Sequence, residues 1–503
     1  MRYHIPKANT VRRLYSPPRK EVVMNSTNQF MYELPEALRT RLPEVVVAPA
    51  STYPAGNGAY VMLFEGVEEA FFDAYVKKLE TLGYTQYTAT SFNGSKPENV
   101  NRFATYITDS YSVDLGYHAK GYLDSVSDDP AKASFGNKFD GGILFVTISP
   151  RAGLTLPLTQ APAYTPVDPD QYPTTLTQVG LGDYHTNEAS NCYLIRLADG
   201  TFIVHDIGYG GAMMPRTTAD EVYDLLKKQA PDPNNIVISA WVTTHPHRDH
   251  MDGLEHFANK YASDPTITVK QFVHNFAEDE IATPFERSCQ VAVREAMAKF
   301  GPDVEVVKPH AGNVLYYANV RFRILYSHEN HLQLNGGRYD GNASSLVMQM
   351  ETDDGVKVLF GADSPMRDNG HGGKPFTYGA IRKRYGSFLE SDIMTNMHHG
   401  LGGGSGWDTD ATIKPKIVLW PITWGKINKN GTVLINSSHA VYFNKETAES
   451  SYNTFAEGVL HETPNYMGVY GWFVADDNVH VLTLKKDNVT VDVYDTLAEY
   501  YAS

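Results

Sequence analysis

Apolar positions along the chain fall into short blocks whose period switches between two and about three and a half residues. Residues 59–64 read as a strand, and Val67, Phe71, Tyr75, Leu79 and Leu82 then recur at helical spacing up to Gly83, a favoured helix terminator. Strand-like stretches follow at 84–90, 102–108, 112–118 and 142–149, so residues 51–150 predict a small α+β domain without a catalytic constellation. Residues 1–50 read as a poorly ordered leader. Across 151–175 Pro157, Pro162, Pro166, Pro169 and Pro173 break every pattern, as in a semi-rigid linker. From 176 to 503 the rhythm is α/β: strands at 191–197 and 201–206, a helix over 218–229, and an apolar strand at 236–243. Further strands are predicted at 321–326, 356–360, 392–397 and 417–422, then a helix over 445–457 and closing strands at 468–474, 479–484 and 488–494.

Composition narrows the class. At roughly 150 residues per domain, 503 residues imply more than one domain, and 42% apolar with 20% charged residues is a globular balance. Cys192 and Cys289 are too few for a disulfide framework and lack the spacing of a thiolate metal site. No apolar run approaches the ~18–20 residues that span a bilayer. The basic first stretch lacks the apolar segment of a signal peptide, so a cytoplasmic location is expected. A net charge of −15 disfavours broad nucleic-acid binding, and Arg248, Arg321, Arg323 and Arg338 are scattered in sequence.

Chemistry concentrates where the strand at 236–243 runs into Thr244-His245-Pro246-His247-Arg248-Asp249-His250-Met251-Asp252-Gly253. Imidazole and carboxylate suit zinc or a similar divalent ion, and a loop at a strand end can turn His245, His247, Asp249 and His250 toward one point. Two later strands also end in ligand-type residues: Asp363 after 356–360, and His398-His399-Gly400 after 392–397.

The His-x-His-x-Asp-His loop resembles the signature of the metallo-β-lactamase superfamily of metal-dependent hydrolases. Gln178-Val179-Gly180-Leu181-Gly182-Asp183, Asp206-Ile207-Gly208, Asn342-Ala343-Ser344-Ser345-Leu346-Val347, Phe360-Gly361-Ala362-Asp363 and Met397-His398-His399-Gly400 follow in that family's order. They are most similar to the hydrolase domain of competence DNA-uptake channels and its soluble relatives.

The resemblance implies an αββα sandwich with two divalent metals, zinc being the expected identity, at one edge. His245 and His247 would hold the first metal, Asp249 and His250 the second, and Asp363 would bridge them. His399 would complete the second site, with His398 left to catalysis or an outer position; the reverse order stays open. The first site's third histidine would be His328 or His331, a ligand that the competence-type relatives often lack. Asp206 is expected behind the ligands, and Asp249 would also orient the nucleophile.

The implied reaction is attack by a metal-bridged hydroxide, with a small-molecule or polymer-end phosphodiester as the leading substrate. A lactone, thioester or other carbonyl ester is the alternative substrate, and a non-catalytic metal-containing binding protein the alternative class. Trp407, Trp424 and His439 are candidate pocket residues. No pattern speaks to oligomeric state.

Overall fold

The structure is a computed structural model that describes residues 34–120, 141–180, 189–209, 218–276, 282–330, 341–364, 379–401, 407–423, 458–465, 468–476, 478–494 and 496–503, preceded by the two-residue strands Val23–Met24 and Phe30–Met31. The predicted helix over 445–457, together with His331, Arg338, Trp424 and His439, lies outside the described residues, as does the side chain of Trp407.

The first sheet is eight-stranded; after the two short strands it runs Ser51–Gly56, Ala59–Glu65, Ile143–Pro150, Tyr111–His118, Asn101–Ile107 and Thr85–Ser91. The helix Glu69–Thr81 lays Phe72, Tyr75 and Leu79 on one face of this sheet; Tyr75 and Leu79 are in the predicted stripe, whereas Phe72 lies outside it, Phe71 is only partly buried and Leu82 is exposed. Residues 34–50 are not a separate leader. Leu38, on the short helix Glu36–Arg39, and Leu42 just beyond it are buried in the same core, with Leu34, Val45 and Val47 packed against it.

The second body is a sandwich of two mixed sheets. One, nine-stranded, runs Glu305–Val307, Gln271–Val273, Ile236–Val242, Phe202–His205, Tyr193–Arg196, Thr175–Gln178, Val479–Thr483 and Thr490–Tyr494, with Ile267–Val269 also paired to Ile236–Val242. The other, seven-stranded, runs Val314–Tyr317, Val320–Tyr326, Val347–Thr352, Lys357–Phe360, Ile393–Thr395, Ile417–Trp420 and Gly471–Val474.

Side-chain alternation assigns the layers. Tyr193, Ile195 and Ile203 from the nine-stranded sheet meet Phe322, Met350, Phe360 and Leu419 from the seven-stranded sheet in one core. Residues of opposite parity face helices: Leu194, Phe202 and Val204 pack beneath Thr218–Gln229, Arg248–Tyr261 and Pro284–Ala298, while Val418, Trp420 and Trp472 pack with Ile381, Tyr385 and Ile413. That is the expected αββα order. A bulge at Ser239 switches parity within one strand, so Ile236 and Ile238 face helices whereas Ala240 and Val242 face the other sheet. Among the described residues no helix is long and apolar enough to cross a membrane.

The proline-rich segment is laid along both bodies. Thr155 N donates to Val306 O (2.8 Å), Tyr87 Oη to Pro157 O (2.6 Å), and Val167 N to Ala198 O (2.8 Å). The accessory sheet docks through stacked Phe92 and Phe388 (5.2 Å between centroids) and through a buried polar joint. In that joint His310 stands between Asp114 (3.5 Å) and Glu329 (3.1 Å), and Thr105 Oγ1 donates to Asp114 (2.7 Å). Burial disfavours a charged imidazole, yet the two carboxylates raise the pKa of His310 above its ordinary value, so the ring is drawn to carboxylates on both sides of the domain boundary.

The parallel strands of both sheets deliver their carboxyl ends to one edge, where loops can gather side chains. There Ile207 N donates to His250 O (2.8 Å) and Gly253 N to Gly208 O (3.0 Å), pressing the helix Arg248–Tyr261 onto the turn after Phe202–His205. A Cβ at Gly253 would stand 2.5 Å from Ile207 O, a backbone atom that cannot swing away. Gly253→Ala is therefore expected to lower the unfolding free energy by about 1–3 kcal/mol, measured by denaturant titration; an unchanged midpoint would show that this packing is not tight.

Candidate metal centre

The His-rich motif is half loop and half helix, a correction to its reading as a loop throughout. His247 caps the helix Arg248–Tyr261, so Asp249 and His250 occupy the first turn. His250 N and Met251 N bond to His247 O at 3.1 and 3.2 Å, and an acidic side chain there complements the positive end of the helix.

Asp206 ends the neighbouring strand with a left-handed backbone (φ 53°). Its Oδ1 accepts from Thr244 N (2.9 Å), while its Oδ2 accepts from Thr244 Oγ1 (2.9 Å) and lies 2.8 Å from His250 Nδ1. That contact engages one ring nitrogen and aims the other, Nε2, at Asp363 Oδ1, 3.0 Å away. His399 is fixed likewise: Nδ1 lies 2.9 Å from Pro421 O, and Nε2 lies 3.2 Å from Asp249 Oδ2 and 3.3 Å from Asp363 Oδ1. His245 Nε2 is 3.7 Å from Asp363 Oδ2. Two ligand groups result, Asp249/His250/Asp363/His399 and His245/His247/Asp363, each with donor atoms within 4.8 Å of one another. Asp363 is common to both.

The donor atoms fit a pair of cations. Nε2 of His245, His250 and His399 and Oδ1 of Asp363 are buried without a hydrogen bond, although they face one another. Stranded buried polar atoms cost about 1–3 kcal/mol each, and imidazole with carboxylate is a donor set suited to zinc-like divalent ions. Electrostatics agree. Burial would raise the pKa of Asp363, but His250 and His399 hold it well below the carboxylate range. Burial would lower the imidazoles, yet Asp363 and Asp206 raise His250 well above its ordinary value, and Asp363 with Asp249 raise His399 to about 9. His245, lacking so close a carboxylate, is lowered by burial and by its neighbouring imidazoles.

The centre opens on one side. The side chains of His245, His250, Asp363 and His399 are at most 2% exposed, whereas Asp249 is 33% and His247 and His398 are each 23% exposed. His398 Nε2 lies 3.9 Å from Asp363 Oδ2 and 3.1 Å from Asn342 Nδ2. Both His398 and His399 adopt left-handed backbone (φ 50° and 54°), which turns adjacent rings to different sides of Asp363.

His328 is not brought to the cluster. Its Nδ1 faces Asn275 O (3.1 Å) and its Nε2 faces Ala55 O (3.0 Å), so it ties the accessory sheet to the sandwich. The expectation of a ligand at His328 is corrected by this docking, since both ring nitrogens are engaged. Thr244, Asn191 (Nδ2 3.2 Å from His250 Nδ1) and Asn342 support the ligands without having been singled out in the sequence. Glu286 also stands behind His247. Only Thr244 and Asn342 carried a signal, as neighbours in the motif blocks.

No family model and no curated protein matches the chain. Among solved structures it is similar to the metallo-beta-lactamase fold protein YhfI from Bacillus subtilis, with 12% identity over 52% of this chain and 93% of that one and a TM-score of 0.31. It is also similar to a motif mutant of a Cronobacter sakazakii metallo-beta-lactamase (13% identity, 41% and 71% covered, TM-score 0.25) and to unliganded yeast PDE1 (11%, 44% and 74%, TM-score 0.27). Likenesses this low carry no argument about the chemistry of this chain, which rests on the ligand geometry.

Two outcomes are expected. Asp206→Asn should weaken divalent-metal binding about 10–100-fold by competition titration, because His250 loses the carboxylate that orients it; unchanged affinity would remove Asp206 from that role. Because the neighbouring carboxylates raise the pKa of His250 and lift that of His399 to about 9, metal uptake at pH 7 should release protons and tighten as pH rises toward about 9. Calorimetry in buffers of different ionisation enthalpy measures this, and zero proton release would contradict it.

Proposed function

We propose that the chain is a binuclear metal-dependent hydrolase of the metallo-β-lactamase superfamily, with a phosphodiester as its substrate. The observation that carries this reading is the sharing of Asp363 between two ligand groups that open on a common mouth. Bound divalent cations supply Lewis acidity there, bringing the ionisation of water toward neutral pH and offsetting negative charge that develops on the substrate.

The chain's own residues orient and move protons. Asp249 lies at the mouth with Oδ2 3.2 Å from His399 Nε2, and although burial would raise its pKa, His399 and His250 together hold it below the carboxylate range. A carboxylate so placed accepts a hydrogen bond from the attacking water and aims it. His398, partly open and set beside Asn342, is placed to hand a proton to the leaving oxygen. Asp206 and Asn191 keep the ring of His250 fixed from behind.

The blocks at 342–347, 360–363 and 397–400, through their resemblance to the competence-type branch, support a phosphodiester. The net charge of −15 favours a small or polymer-end substrate over a nucleic-acid tract. A carbonyl ester is the second reading, because the same oriented water and the same cations would serve attack at a carbonyl carbon.

Purified protein is expected to contain close to two divalent ions, to hydrolyse bis(p-nitrophenyl) phosphate, and to lose activity to a chelator and regain it with metal. Asp249→Ala and His250→Ala should each lower kcat/KM on the order of a hundredfold or more with unchanged circular dichroism. A protein that takes up no metal sinks the reading; turnover of lactones or thioesters alone selects the second substrate class.

A further inference from the structure

We infer that Glu286 is a positioning residue for one of the two cations: its carboxylate stands behind His247 and holds that ring for metal. The inference rests on the metal-centre reading above. The helix Pro284–Ala298 begins with a capping box, in which Thr283 N donates to Glu286 Oε2 (2.8 Å) and Glu286 N donates to Thr283 Oγ1 (3.3 Å). This occupies one carboxylate oxygen. The other, Oε1, lies 3.8 Å from His247 Nε2, an ion-pair distance.

A capping box alone does not explain this placement. Such boxes serve equally well with glutamine, which carries no charge to desolvate. The side chain of Glu286 is only 6% exposed, and a buried carboxylate is costly without a cation. Among the described residues the ionisable group facing it at that distance is His247. A neutral imidazole offsets little of the charge. An imidazole that presents Nε2 to the carboxylate and keeps Nδ1 for a divalent ion offsets more.

The other rings are also backed by a partner, through Nδ1 with Nε2 turned to Asp363, whereas His247 meets its partner through Nε2. His250 is backed by Asp206 (2.8 Å), His399 by Pro421 O (2.9 Å) and His245 by Thr244 Oγ1 (3.2 Å). Glu286 completes the set for His247. The backbone at Gly341 closes over the pair so tightly that a Cβ would lie 2.3 Å from His247 Nε2 and 2.7 Å from Glu286 Oε1.

Glu286→Gln separates the two roles, since an amide oxygen still accepts from Thr283 N while the charge is lost. Full-length protein, stripped and titrated with Zn²⁺ against a competing chelator, should show one of two ions bound about 10–100-fold more weakly and the other unchanged. The thermal midpoint of the metal-free variant should match the wild type. Thr283→Ala, which removes the hydroxyl but not the charge, should leave both affinities unchanged. Wild-type affinity for both ions in Glu286→Gln, or an equal loss in Thr283→Ala, overturns the assignment while leaving the metal centre intact. Wild-type protein that binds no Zn²⁺ overturns both.

Discussion

The carboxylate of Asp363 is the constraint around which the rest is built. It is buried, and its two oxygens serve different rings, Oδ1 toward His250 and His399 and Oδ2 toward His245. Removing such a group from water costs several kcal/mol, which neutral imidazoles do not return. The site can therefore be balanced in two ways, by protons on His250 and His399 or by cations held among all the rings. Either way strand ends from both sheets must meet within a few ångströms. Leu346 N bonds to Thr244 O (3.0 Å), Asn396 N to Leu419 O (2.7 Å) and His398 N to Ala362 O (2.9 Å), fastening the loops to one another. Among the described residues eight non-glycine positions have positive φ, and Asp206, Ala362, His398 and His399 of these belong to this edge. Each such conformation costs about 1–3 kcal/mol, and the core beneath sustains them.

What could be read from the chain was whatever has a local period or a dense motif. The helix over 218–229 is legible because its apolar positions share one face, and the His-rich turn because four ligand-type side chains crowd one strand end. His328 shows where such reasoning stops. It too follows a strand, but its partner is Ala55 O, contributed by another sheet, and nothing local distinguishes a histidine facing a metal from one facing a backbone carbonyl. Glu286 is hidden for the opposite reason: its spacing from Thr283 is fully accounted for by a helix cap, so the sequence offers no remainder to explain. Residues 34–50 were obscured by prolines around a short amphipathic turn whose leucines find their core only in three dimensions.

The joint between the accessory sheet and the sandwich uses buried charge where apolar packing would hold at least as well. Asp114, His310 and Glu329 form a buried polar chain across the joint, with Asn275 Nδ2 3.0 Å from both oxygens of Glu329 and Ser327 Oγ donating to Oε2 (2.5 Å). Such networks contribute little net stability, but a misdocked sheet would leave each member stranded. The joint lies at the carboxyl ends of Gln271–Val273, Glu305–Val307 and Val320–Tyr326, continuous with the edge that carries the candidate metal ligands. Thr243 N bonds to Val273 O (2.9 Å) and His274 N to Val307 O (3.1 Å), so the two polar centres are steps along a single sheet margin. The accessory sheet is thus held in register with the metal edge.

That margin is rigid on one side and open on the other. His245, His250, His399 and Asp363 are sealed in, each ring backed by a fixed partner, whereas His247, Asp249 and His398 reach solvent. Chemistry at a mouth of this kind needs groups that do not shift as charge develops, because reorganisation would consume the stabilisation they provide. The sealed members meet that need through burial. The open ones cannot, and for them the outer partner matters more: Asn342 for His398, His399 for Asp249 and Glu286 for His247. A half-exposed ligand without such backing would lose its orientation to water, so the partners lie where burial is weakest.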